Sequence, residues 1–302
     1  MKVIFSLSVI LLCCTCCIAQ NVITDSTATV LAYWKKGDKA KYSLKMTKEK
    51  YDNGKKISGG TSVSDIDITV ADATDSSYTL YWKYSKITVP GPETGNPVVA
   101  KLTRLVEGVT FKYTTEAGGE FKSLINFNEV KGLMNKTLDE LLKIQGGKDM
   151  QPVIEQTKKV FASKEGVEQL LMTDIQLLHN LYGGEYKLHE ALKAETQLPN
   201  FLGGNPFPAI LTINMTELDK QNKTCIITLN QVVDSEKAAK EVGTFLEKNG
   251  KPLNEKVGGL DISDTYSFEV DLITGWMKKA VYTRTASAEG KKNVEIHEII
   301  KL

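Results

Sequence analysis

His179, His189 and His297 are the scarcest chemically useful side chains in this 302-residue chain. His189-Glu190-Ala191-Leu192-Lys193 and His297-Glu298-Ile299-Ile300-Lys301 both open like a helical zinc-protease motif. That chemistry needs a second imidazole four residues after the first, and each stretch has Lys there. His179 and His189 flank Gly183-Gly184 and could meet across it, but no third metal ligand is evident beside them. Asp65, Asp67, Asp72 and Asp75 carry calcium-type side chains without the EF-hand spacing or its central Gly. There is no G-x-S-x-G elbow and no Walker loop. Carboxylate pairs for glycoside hydrolysis come from distant segments, and nothing selects two acids out of 37. The residue types therefore supply no catalytic group, no metal set and no cofactor motif.

Cys13, Cys14, Cys16 and Cys17 raise metal or lipid chemistry next. They sit where Lys2 is the only charge, after an apolar run from Val3 to about Leu12, in a stretch ending at Ala19. That order is a secretory leader, and it predicts cleavage after Ala19. The apolar run is shorter than the roughly 20 residues of a membrane-spanning helix. A zinc site needs four ligands in a folded frame, which a leader does not supply. A lipid-modified Cys wants a small residue before it, and Leu12, Cys13, Thr15 and Cys16 fit poorly. A lipoprotein is thus the lesser expectation. Without the leader only Cys225 remains, and a single cysteine makes no internal disulfide. Loss of Lys2 also leaves 37 basic against 37 acidic residues. With no polybasic tract, that balance argues against nucleic acid or anionic lipid as the main partner.

The elements that position these residues are mostly strands. Period-two apolar rows occur at Tyr42-Leu44-Met46, Ile66-Ile68-Val70 and Tyr78-Leu80-Trp82-Tyr84. They return at Leu211-Ile213-Met215, Cys225-Ile227-Leu229 and Tyr266-Phe268-Val270. Turn residues separate them at 52–54, 72–77, 219–222 and 272–275. Helical spacing fills the middle. It predicts one helix capped by Asn128 and running to about Gln145, a second from Pro152 to about Phe161, and a third from Ser163 ended by Gly183. A further helix at about 236–248, capped by Ser235, interrupts the late strands. This order is α+β. The expected architecture is a large curved antiparallel sheet of about ten strands, half-barrel or sandwich-like, with a central helical insert and one further helix. The expected organisation is a leader at 1–19, a first strand block at 20–126, the helical insert at 127–183 and a second strand block at 184–302, the blocks forming one domain.

Strand faces decide the remaining candidates. Asp65 and Asp67 fall opposite Ile66 and Ile68 and read as solvent-facing. Cys225 shares the row of Ile227 and Leu229 and reads as a buried thiol. Trp82 lies between Leu80 and Tyr84, where packed core is the default. Trp82 and Tyr84 are also the candidates for lining a ligand cavity.

Tyr33-Trp34-Lys35-Lys36-Gly37-Asp38-Lys39 leads into the first strand, and Asp271-Leu272-Ile273-Thr274-Gly275-Trp276 precedes the last pair. Between them lie Tyr182-Gly183-Gly184-Glu185-Tyr186, Leu198-Pro199-Asn200 and Gly203-Gly204-Asn205-Pro206-Phe207-Pro208. With these stretches the chain resembles a group of exported, uncharacterised β-rich proteins of Gram-negative envelopes. The resemblance implies a periplasmic or extracellular location and brings no catalytic residues.

A sheet this long must curl, close or pack on itself. A curled sheet with helices over its mouth leaves room for a ligand. The expectation is an exported, non-enzymatic protein that binds an apolar or amphiphilic small molecule. Two other readings stay open: a structural or protein-partner-binding envelope module without a ligand cavity, and a hydrolase acting on envelope glycans or peptides. No cofactor, no metal and no transmembrane helix in the mature chain are expected.

Overall fold

A computed structural model describes residues 23–89, 107, 109–143, 151–198, 205–248 and 260–302. The expected leader and its four cysteines lie outside the described residues. The alternating stretches form strands β2 (Lys39–Asp52), β3 (Lys55–Ala73), β4 (Ser77–Thr88), β5 (Thr110–Glu116) and β6 (Phe121–Leu124). The second set is β8 (Ala191–Leu198), β9 (Phe207–Asp219), β10 (Thr224–Val233), β11 (Asp261–Asp271), β12 (Met277–Ala288) and β13 (Lys291–Lys301). The antiparallel pair β13–β2 joins the two sets. The result is one curved, unclosed antiparallel sheet of eleven strands, in the order β6-β5-β4-β3-β2-β13-β12-β11-β10-β9-β8. A short strand β1 (Thr27–Thr29) pairs with β7 (Glu185–Lys187) outside it. The α+β class with one large sheet is as expected, with eleven strands where about ten were read.

Tight turns fix the register at the middle of this sheet. Asn53 and Gly54 both have positive φ, 47° and 79°. That is the conformation a two-residue hairpin needs to match strand twist. Glu289 and Gly290 repeat it between β12 and β13, at 51° and 77°. The two turns touch, with the Asn53 amide donating to the Gly290 carbonyl at 2.8 Å.

Among the described residues four helices follow β6: α1 (Phe127–Leu141), α2 (Gln151–Val160), α3 (Lys164–Leu171) and α4 (Thr173–His179). Helix α5 (Ser235–Lys248) lies between β10 and β11. Three expected details change. Helix α1 starts after Asn126, not after a cap at Asn128. The Asn126 amide is spent on β5, donating to the Thr110 carbonyl at 2.8 Å and accepting from Lys112 N–H at 2.9 Å. The long third helix is two helices, broken at Met172 (φ −112°, ψ 17°). Its Ser163 cap is where it was expected, accepting from the Gly166 amide at 3.1 Å. Helix α5 is capped by Asp234, which accepts from the Lys237 amide at 3.1 Å. Ser235 instead donates to Asp261 at 3.0 Å. No helix among the described residues is long and apolar enough to cross a membrane.

The alternation sorts each strand onto an inner face and an outer one. At one end of the strands, α1 to α4 and the segment 28–34 bury the inner face in one core containing Tyr42, Ile66, Trp82, Tyr113, Ile227 and Phe268. Gly275 helps seat that segment. Its φ is +72°, and a Cβ there would meet the Leu31 carbonyl at 2.2 Å. At the other end, α5 covers a smaller core through Ala238 and Val242 on Phe207, Ala209, Val233 and Ile262.

Candidate functional site

The strip of inner face between these two cores is not apolar throughout. Strand register aligns two rows across it. The first runs Leu192, Ile213, Leu229, Tyr266, Tyr282, His297 and Met46 from β8 to β2. The second runs Ala194, Leu211, Gln231, Asp264, Arg284, Glu295 and Lys48. Its last four members alternate in sign on four neighbouring strands, the cross-strand arrangement that favours opposite charges. The strip is therefore aliphatic toward β8 and charged toward β2.

The charges are joined by short bonds. Arg284 grips Asp264 with two, from Nε at 2.8 Å and Nη2 at 2.6 Å. Tyr282 adds its hydroxyl to the same carboxylate at 3.4 Å. Lys48 pairs with Glu295 Oε1 at 3.1 Å. His297 lies between two carboxylates, with Nδ1 2.6 Å from Asp174 and Nε2 2.9 Å from Glu295. Asp174 comes from the first turn of α4, where a carboxylate is favoured by the helix N-terminus. Its second oxygen accepts from the Tyr84 hydroxyl at 3.0 Å. Asp174 thus ties the helical cover to β4 and β13 at once.

Protonation follows from these partners. Burial pulls His297 down, but the bonds and charges of Asp174 and Glu295 outweigh it and raise its pKa to about 9. The His297 bond, against burial and with help from Lys48, lowers Glu295 to about 2. His297 is then an imidazolium donating from both nitrogens. Met46, Lys48, Leu171, Thr173, Asp174, Tyr282, Arg284, Glu295 and His297 line an open cleft of about 260 Å³ here.

The sequence candidates are distributed unevenly. His297 is in this site. His179 is buried elsewhere, its Nδ1–H donating to the Gly119 carbonyl at 2.6 Å and its Nε2 accepting from Tyr113 at 3.0 Å. Burial lowers its pKa to about 4, against the raising effect of that carbonyl. His189 is exposed in the turn before β8. Neither protease-like stretch is on a helix, and no group of three metal-ligating side chains occurs among the described residues. Asp65 pairs with Lys86 at 3.1 Å and Lys41 at 3.6 Å on the outer face. Cys225 is buried, and burial pushes its thiol up to about 12. Trp82 is fully buried against the edge of Tyr84, with ring centroids 5.8 Å apart. Neither Trp82 nor Tyr84 lines the cleft; Tyr84 reaches it through Asp174.

Sequence reasoning missed Asp264, Arg284, Glu295, Lys48 and Asp174. One signal was present. Lys48 continues the row Tyr42-Leu44-Met46, and Asp264 precedes Tyr266-Phe268-Val270 on the same parity. A charge on the buried parity of a strand calls for a partner.

No family model and no curated protein matches the chain. Among solved structures it is similar to a lipovitellin studied for its lipid–protein interactions, at 11% identity and a TM-score of 0.45. That match covers 89% of this chain and 25% of lipovitellin, so the chain spans about a quarter of that protein's length. A second likeness is to an outer membrane channel from Pseudomonas putida F1, at 9% identity and a TM-score of 0.15, covering 90% of this chain and 98% of the channel. Scores this low leave the function of either protein silent about this one.

Proposed function

We propose that this protein is exported and binds an amphiphilic small molecule on the strip between its two cores, without catalysing a reaction on it. One observation carries the reading: apolar side chains of the inner face lose their cover in the strip between the two cores, most of all at its β8 end. Met215 is fully buried, Ile213 and Leu211 are half-buried, and Leu192 is 48% exposed. Met46 and Tyr266 are likewise half-buried beside Lys48 and Asp264. Half-open aliphatic surface gains free energy when a chain covers it, by roughly 25 cal/mol per Å² removed from water. The adjoining charges suit a polar end.

The chemistry of His297 supports the non-enzymatic part. A general base needs a free lone pair aimed at substrate, and both of its nitrogens are engaged by carboxylates. Nearby Thr173 donates to the Gln169 carbonyl at 3.3 Å. In this reading Tyr84 acts from behind by holding Asp174, and Trp82 packs Tyr84 in place.

Solvent extraction and native mass spectrometry of protein purified from its exported fraction test the proposal. A single-chain amphiphile should copurify, and the N-terminus should be Gln20. A protein that carries no small molecule and takes up none would leave the structural module as the better reading. A chain retaining Cys13 to Cys17 would contradict export through a cleaved leader.

A further inference from the structure

We infer that the amphiphile has an anionic head, a carboxylate or phosphate, held by the free donors of Lys48 and Arg284 that flank the Glu295 carboxylate in the charged row, with its chain running toward β8. This rests on the amphiphile reading above and adds the head-group class and the orientation. Among the described residues, the charged row has more free donors than free acceptors. On the acceptor side, Asp264 gives one oxygen to Arg284 Nε and Tyr282 and the other to Arg284 Nη2. Asp174 gives one oxygen to His297 and one to Tyr84. Glu295 Oε1 serves both His297 and Lys48, so Oε2 is the one acidic oxygen without a partner among the described residues. On the donor side, Lys48 has three N–H groups and one partner, and its side chain is 64% exposed. Arg284 Nη1 has no partner among the described residues, and its side chain is 33% exposed. Unused donors therefore outnumber unused acidic acceptors, and both belong to cations. Charge-assisted bonds from Lys and Arg to a carboxylate or phosphate are the strong kind.

The orientation follows from register. Lys48 and Arg284 lie at the β2 and β12 end of the second row, which passes Asp264 and Gln231 before reaching Leu211 and Ala194 on β9 and β8, with Tyr266, Leu229, Ile213 and Leu192 running beside it. From Arg284 on β12 across Tyr266 and Leu229 to Ile213 on β9 is three strand spacings, roughly 14 Å. A medium-length alkyl chain covers that distance.

The test is a set of dodecyl probes that differ only in the head: carboxylate, phosphate, alcohol and ammonium. Binding to the full mature protein is measured by calorimetry, below the micelle concentration of each probe. Acetate and inorganic phosphate serve as chainless controls. The inference predicts that both anionic probes bind about tenfold or more tighter than the alcohol and the ammonium. It also predicts that the chainless anions bind far more weakly than either. Lys48 is exposed, so Lys48→Gln should fold normally; it should remove most of the anionic preference while leaving the alcohol unchanged. Equal binding of all four heads, preference for ammonium, or an anionic preference that survives Lys48→Gln would overturn the inference and leave the amphiphile reading standing. Chainless anions binding as tightly as the dodecyl anions would overturn the orientation and the chain site together. No binding of any dodecyl probe would overturn the amphiphile reading itself.

Discussion

Arg284 stands between Asp264 and the cost of a bare buried charge. The Asp264 side chain is 1% exposed and both its oxygens are held by Arg284. Removing one partner of such a pair costs roughly 3–5 kcal/mol, whereas replacing both with apolar groups of similar volume is often neutral. Arg284→Met should lower stability by about that amount, and adding Asp264→Leu should restore most of it. A urea-unfolding double-mutant cycle reads this directly, and simple additivity of the two losses would contradict the pairing. Cys225 makes a second test. It is 1% exposed with a thiol pushed up to about 12 by burial, so native protein should react with a thiol reagent only as fast as it opens. Cys225→Ser should cost roughly 1–3 kcal/mol by burying a hydroxyl without an assured partner. Trp82 is 0% exposed within the larger core. Trp82→Ala should therefore cost about 3–5 kcal/mol in the same urea titration, the cost of an aromatic void. A loss below about 1 kcal/mol would mean that its surroundings collapse freely or were open already.

At the scale of elements, α4 is held to the sheet by groups that titrate with opposite signs. His297 on β13 faces Asp174 on α4, with Glu295 on its own strand, Lys48 on β2 and Tyr282 and Arg284 on β12 around it. Its folded pKa is raised to about 9 from an ordinary 6.5. Its contribution is therefore complete below about pH 6.5 and lost as pH rises through about 9. That is on the order of 3 kcal/mol. His179, the last residue of α4, is shifted the other way, to about 4. Its contribution is present above about pH 6.5 and lost as pH falls through about 4. Glu295, lowered to about 2 from 4.5, adds a loss as pH falls between those values. Thermal melts from pH 3 to 10 should peak near pH 6.5 and fall on both sides. His297→Asn should flatten the alkaline limb and His179→Gln the limb between pH 6.5 and 4. An unchanged alkaline limb in His297→Asn would show that the His297 contact with Asp174 and Glu295 holds no charge.

The break at Met172 that aims α4 was not legible in the sequence. The apolar stripe of Leu171, Ile175 and Leu178 continues across it, and neither Gly nor Pro marks the spot. Strand faces were legible, because period two leaves one choice per row. Tyr42, Ile66, Leu80, Ile227 and Phe268 are all buried where the alternation put them. What an alternating row cannot report is whether its neighbours cover it, so Leu211 and Met215 read alike although only Met215 is fully buried. The charged row was hidden for another reason. Lys48, Asp264, Arg284 and Glu295 come from four strands, and the pairing of β2 with β13 brings Lys48 beside Glu295 from about 250 residues away.

For the molecule as a whole, two cores leave a strip that is aliphatic at β8 and charged at β2, and in our proposal the ligand lies there. The most direct measurement is a fluorescence titration with a dansyl-tagged alkyl carboxylate on three proteins: wild type, Leu192→Asp and Ile57→Asp. Leu192 lies on the strip at 48% exposure, while Ile57 is 61% exposed near the β2–β3 turn and away from it. Both sites are open enough for a charge to be tolerated in the fold. Wild type and Ile57→Asp should bind the probe alike. Leu192→Asp should bind it about tenfold or more weakly, since it places a desolvated carboxylate against the chain. Equal affinity in all three proteins, or no binding to wild type at all, would contradict the account.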